Sequence, residues 1–187
     1  KFEYNNIQNL KDLFEKYKDN VAAVIMEPMN VNWPIEGYLQ QVESVTKQNG
    51  ALFILDEIIT GFRYAKGGAQ ELFNLTPDLT VFGKGIANGF PLSVLSGKRE
   101  VMTLVEDIFF SGTFGGETVS LIAAKSVLNK VKNSNYVETI SALGSKLING
   151  VNSLIDKYCI GLYVSISGHP AVSYLVIKKS ENYTALE

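Results

Sequence analysis

Four ionisable residues each follow a short apolar run. Glu27 closes the run 21–26, Asp56 and Glu57 close 51–55, and Lys84 follows 79–82 between Gly83 and Gly85. A lysine at a partly dry rim has its neutral amine favoured, and a neutral amine attacks aldehydes. A nearby carboxylate can hold a proton on a heterocyclic nitrogen through a charge-assisted bond worth roughly 1.5–3 kcal/mol net. The protonated ring would then act as an electron sink, so the set points to carbonyl chemistry. Taken singly, charged residues end strands because they reach water there. Glycines on both sides of Lys84, which let a ligand approach the backbone, favour a shared site.

A third part is the run from Phe109 to Thr118, FFSGTFGGET, which is glycine-rich and precedes a helical pattern. Free amides and the positive end of a helix dipole suit phosphate, although such runs are as often simply turns. Asp56-Glu57 after apolar residues also fits a Walker B element, with the aspartate organising Mg²⁺ and the glutamate positioning water. The matching G-x-x-x-x-G-K-[ST] does not occur: Gly97-Lys98 is followed by Arg99, and Leu92 stands at the first-glycine position. A nucleotide hydrolase is the alternative enzyme, and it leaves Lys84 and the Thr113 turn without a role. A non-catalytic chain that keeps the fold is the third reading.

Strand and helix patterns place these groups. Ile7, Leu10, Leu13, Phe14 and Tyr17 recur at helical spacing, as do Tyr38, Leu39, Val42 and Val45, the second set closed by Asn49-Gly50. The runs 21–26, 51–55 and 79–82 read as buried strands, and a short helix fits 69–74. Strand-helix-strand succession predicts parallel pairing with helices over the sheet, and therefore strand C-termini along one edge, where ligands bind. Residues 92–96 add a strand. Helices are predicted from Val119 to Val131 and from Val137 to Ile155, with two strands at 161–166 and 172–177. The break at Asn133-Ser134-Asn135 divides the chain into 1–133 and the start of a smaller α+β unit, 134–187.

The chain has 187 residues, 46% hydrophobic and 19% charged, which suits an ordinary core and excludes a disordered polyelectrolyte. With 17 Lys and Arg against 19 Asp and Glu, the net charge of -2 offers no basic field for nucleic acid or anionic lipid. One cysteine, Cys159, and one histidine, His169, exclude an internal disulfide and the usual zinc ligand sets. No apolar run approaches the roughly 20 residues of a membrane span, so a soluble, cytoplasmic protein is expected. The first residues look like the interior of a longer polypeptide. Cys159 is expected in the core and His169 at a surface turn. Arg63 is expected to pair with a substrate or cofactor anion, or in a structural salt bridge.

In order and spacing, VAAVIMEP, GYLQQ, LFILDEIITGFR, GGAQ, PDLTVFGKGIANGFPLS and FSGTFGGET resemble the class III pyridoxal-phosphate aminotransferases, in the branch of glutamate-1-semialdehyde aminomutase. The resemblance is dense over residues 20–131. It implies the second half of a fold type I large domain, with pyridoxal 5'-phosphate as cofactor and amino-group transfer between a small-molecule donor and a carbonyl acceptor. By the same match, Lys84 is the Schiff-base lysine and proton carrier, Asp56 pairs with the pyridine nitrogen, and Ile58 packs on the ring. Gly112 and Thr113 fall where the family contacts the phosphate of the neighbouring subunit, which implies a homodimer. Aminotransferase and aminomutase both fit. Trp33-Pro34 in a shortened 28–38 loop, and Glu117-Thr118 in place of Asn-Pro, depart from the aminomutase pattern. The run GTFGGET is similar to relatives of surface-polysaccharide pathways, which suggests an aldehyde or keto acceptor of that kind.

Overall fold

The computed structural model describes residues 1–29, 31–109 and 111–178; Phe110 of the glycine-rich run and the end of the 134–187 unit lie outside the described residues. Helix α1 (Ile7–Lys16) starts where the Asn6 side chain accepts the Asn9 N–H, and it buries Leu10 and Phe14. Strand β1 (Ala23–Met26) follows, then α2 (Tyr38–Gln48), whose Tyr38, Leu39, Val42, Val45 and Thr46 form the buried stripe. Gly50, at φ 70°, turns the chain out of α2 and into β2 (Leu52–Asp56). The short helix α3 (Ala69–Leu72) leads to β3 (Leu79–Phe82), and β4 (Val94–Gly97) returns beside it.

The sheet order is β1-β2-β3-β4. β1 and β3 flank β2 in parallel, and β4 runs antiparallel to β3. The main core joins the sheet to α1 and α2 through Val24, Phe53, Leu55, Leu39 and Val42. Each such side chain contributes about 1.5–3 kcal/mol by leaving water. Asp78 ties the sheet from below. Its carboxylate accepts the buried Phe53 N–H at 2.8 Å and pairs with Lys98 at 2.7 Å.

Helix α4 (Arg99–Met102) and a 3-10 segment (Thr103–Asp107) carry the chain toward α5 (Thr118–Asn133). The 22-residue α6 (Tyr136–Lys157) and the antiparallel hairpin of β5 (Val164–His169) and β6 (Val172–Ile177) complete the described chain. α6 crosses the hairpin tip so closely that a Cβ at Gly144 would collide with the Pro170 carbonyl. Among the described residues, no helix is long and apolar enough to cross a membrane.

Several expectations need correction. β1 is not buried on both faces: Val24 and Met26 are covered, but Ile25 is 60% exposed. Apolar composition does not reveal that the described elements leave this face of β1 uncovered. The fifth strand starts later than expected, because residues 160–163 form the turn out of α6. Cys159 is exposed in that turn, at φ 53°, and is not a core residue. His169 is no simple surface turn. It lies half-buried against the rings of Tyr64 (4.3 Å between centroids) and Trp33 (6.0 Å, planes nearly parallel).

Candidate active site

Parallel register brings three strand ends to one margin. Met26 lies opposite Leu55 and Asp56 opposite Val81, so Glu27, Asp56 and the Lys84 segment leave the sheet side by side. The Glu27 carboxyl registers this placement. Burial pushes its pKa above the ordinary value, the Asp56 charge pushes the same way, and Lys84 opposes both. Glu27 Oε2 is buried and has no hydrogen-bond partner. Asp56 is half-buried and accepts the Ile58 N–H at 3.0 Å, which turns the chain away from the strand.

Lys84 opens a 3-10 turn (Lys84–Ile86) at φ 44°, a left-handed conformation that sets it apart from the preceding strand. Its side chain is exposed, and among the described residues it makes no hydrogen bond or ion pair. Gly83 is not open to a ligand, as the sequence suggested. A Cβ there would lie 3.3 Å from Ile58 Cγ2, so the Ile58 side chain already rests on that backbone. The margin therefore presents one free amine, one carboxylate, one desolvated acid and one aliphatic surface.

Glu57 belongs to a different structure. It is 1% exposed and accepts the Thr60 hydroxyl, the Ala69 N–H at 2.8 Å and the Gln70 N–H at 2.7 Å. Burial outweighs these bonds and holds its carboxyl above the ordinary carboxylate value. Such a glutamate clamps the 57–70 loop and has no free oxygen with which to position water. This removes the Walker B reading at its second residue.

The glycine-rich segment also differs from expectation. Gly112 and Thr113 are exposed in a turn closed by the Gly115 N–H on the Gly112 carbonyl at 2.9 Å. The first amides of α5 are not free for phosphate. The Glu117 carboxylate accepts the Val119 and Ser120 N–H groups, both at 2.8 Å. The Ser120 hydroxyl and these amides hold that carboxyl below its ordinary value. Among the described residues, no hydrogen bond or ion pair joins Gly112 or Thr113 to Asp56 or Lys84. Glu27, Asp56, Ile58 and Lys84 are thus brought together, and Gly112 and Thr113 are not. Glu27 is the neighbour that sequence reasoning left without a role. Its position one residue past β1 is the signal that it shares this margin.

A mostly parallel sheet with an amine and a carboxylate at its C-terminal margin defines an α/β protein suited to carbonyl chemistry. The sequence profile "Aminotransferase class-III" matches residues 2–168, and the chain belongs to this family. It is 38% identical to glutamate-1-semialdehyde 2,1-aminomutase 2 of Lachnoclostridium phytofermentans, over 97% of this chain and 44% of that protein. It is 34% identical to glutamate-1-semialdehyde 2,1-aminomutase of Francisella tularensis subsp. holarctica (strain FTNF002-00 / FTA), over 88% of this chain and 40% of that protein. The chain thus spans well under half the length of these curated relatives. The fold is similar to that of the PLP internal aldimine form of the Sphingopyxis sp. MTA144 FumI protein, with a TM-score of 0.88 and 27% identity. That match covers 95% of this chain and 44% of the other.

Proposed function

We propose that the protein transfers amino groups with pyridoxal 5'-phosphate, as an aminotransferase or aminomutase, and that Lys84 binds the cofactor. The carrying observation is the unpaired Lys84 amine on the same sheet margin as Asp56 and Glu27. Family membership and the aminomutase and transaminase relatives support the reading.

The residues fit the group. Lys84 offers a primary amine that no described residue occupies, Asp56 a half-buried carboxylate, and Ile58 an aliphatic surface against the Gly83 backbone. When bound, the cofactor supplies an electron sink for the carbon that loses its proton. The chain's own groups do the rest. Asp56 would pair with the cofactor's protonated nitrogen, Ile58 would pack against its ring, and Lys84 would bind its aldehyde and carry the proton in the transfer. Burial and the Asp56 charge both favour the neutral form of Glu27, with Lys84 opposing them. Gly112 and Thr113 serve the phosphate of the neighbouring subunit in a homodimer. Residues 1–133 form the second half of the cofactor-binding domain, residues 134–187 begin the small one, and the protein works in the cytoplasm on a small-molecule amino donor and carbonyl acceptor.

The test is spectroscopic. Addition of an amino donor to the cofactor-loaded protein should bleach the cofactor band and release the donor's keto product in equal amount, and Lys84→Ala should abolish both with its unfolding midpoint unchanged. Nucleotide turnover without bleaching would overturn the proposal.

A further inference from the structure

A cavity of ≈ 250 Å³ lies beside the Lys84 segment, bordered by Gly85, the Phe62-Arg63 turn and the facing parts of α5 and α6. Its polar lining is Arg63, Asn88, Lys130 and Tyr136. Two of these are cations, and no carboxylate lines the cavity. Arg63 Nε is buried without a hydrogen-bond partner, and its guanidinium makes no ion pair among the described residues. The expected structural salt bridge is therefore not found.

A guanidinium cannot relieve its burial by losing a proton, as a lysine or histidine does. A buried donor without an acceptor is costly, and a partly desolvated charge without a counter-charge is more so. The other polar groups cannot supply that counter-charge. Burial pushes the Tyr136 hydroxyl above its ordinary pKa, with Arg63 opposing, so it remains a neutral O–H. Asn88 and Lys130 bring N–H donors. Tyr136 is also the first residue of α6, whose Asn135 cap makes no side-chain bond, so the positive end of a 22-residue helix adds to the same field. Glu138, the acid in that first turn, is exposed and does not line the cavity.

We infer that this cavity binds a small oxyanion, a phosphate or carboxylate group, between Arg63 and Lys130. At ≈ 250 Å³ the cavity has room for such a group together with ordered water. The occupant comes from solution or is a carboxylate side chain from outside the described residues. Either would join the Gly85–Asn88 segment, which follows Lys84, to α5 and α6. The inference does not depend on the chemistry assigned to Lys84.

The experiment is calorimetric titration of inorganic phosphate, then acetate, into the full chain saturated with pyridoxal phosphate, at low salt. Saturation closes the cofactor's own phosphate site. For a solution anion, phosphate binds one-to-one, Arg63→Gln weakens it by about tenfold or more and Lys130→Gln by a smaller factor, as expected for charge-assisted contacts. For a side-chain carboxylate, neither probe binds, Arg63→Gln lowers the thermal midpoint, and Arg63→Lys restores most of the loss. Phosphate binding that is equal in wild type and Arg63→Gln overturns the inference. So does the absence of binding with an unchanged midpoint, or with a midpoint that Arg63→Lys does not restore.

Discussion

Gly68 and Glu57 should behave as a coupled pair. Gly68 sits at φ 83°, ψ -162°, and a Cβ there would lie 2.7 Å from both Oε1 and Oε2 of Glu57. Gly68→Ala therefore meets two penalties: a backbone region almost closed to other residues, about 1–3 kcal/mol, and displacement of the Glu57 carboxylate. Displacement strands at least one N–H at the start of α3, which costs about 1–3 kcal/mol. Glu57→Ala strands both the Ala69 and the Gln70 N–H, for roughly 2–6 kcal/mol in all. In the double variant there is no carboxylate to displace, so only the backbone penalty is added. Guanidinium unfolding of the four proteins should then show a double variant less destabilised than the sum of the singles by about 1–3 kcal/mol. Additivity within about 0.5 kcal/mol would refute the geometry. Retained amino transfer in whatever fraction of Glu57→Ala remains folded would further separate this clamp from a catalytic carboxylate.

Two predictions concern pH. Burial would raise the Asp78 carboxyl, but Lys98 and the Phe53 N–H hold it below its ordinary value of 3.8. Its stabilisation is therefore present above that value and lost as pH falls below it. Asp78→Asn keeps an acceptor for Phe53 and should cost roughly 1 kcal/mol at neutral pH, since Lys98 is partly exposed. The difference from wild type should vanish in strong acid; a difference independent of pH would contradict the charge pairing. His169 behaves in the same direction at higher pH. Burial lowers its pKa below 6.5, and its Nδ1 accepts the Ala171 N–H at 3.1 Å, so protonation would set one N–H against another. Its folded-state pKa is depressed, so its contribution is complete above pH 6.5 and is lost as pH falls through the folded value. His169→Gln should lose less stability than wild type between pH 6.5 and 5 in parallel thermal melts; identical losses would show that the ring is not confined by Tyr64 and Trp33.

Much of the sheet was legible in the sequence because it depends on local pattern. The runs 21–26, 51–55 and 79–82 gave β1, β2 and β3 within two residues, and Asn49-Gly50 marked the end of α2. The shared margin of Asp56 and Lys84 followed from parallel topology alone. What was missed depends on partners distant in the chain or on competition for backbone donors. Ile25 is exposed because no described strand or helix covers it, a fact its own side chain cannot carry. Glu57 is occupied by amides 12 and 13 residues downstream, and His169 by rings far upstream. At α5, Glu117 caps the helix and takes the amides that the glycine-rich run promised to a ligand. At Gly83, a Cβ would crowd the Ile58 side chain, a neighbour that the glycine's own sequence context does not name.

Borohydride reduction of the cofactor-loaded full-length protein, followed by peptide mapping, asks most directly whether Lys84 holds the cofactor. A single pyridoxyl adduct on the peptide containing Lys84, absent from Lys84→Ala, is the expected result. An adduct on another lysine, or none, would contradict it.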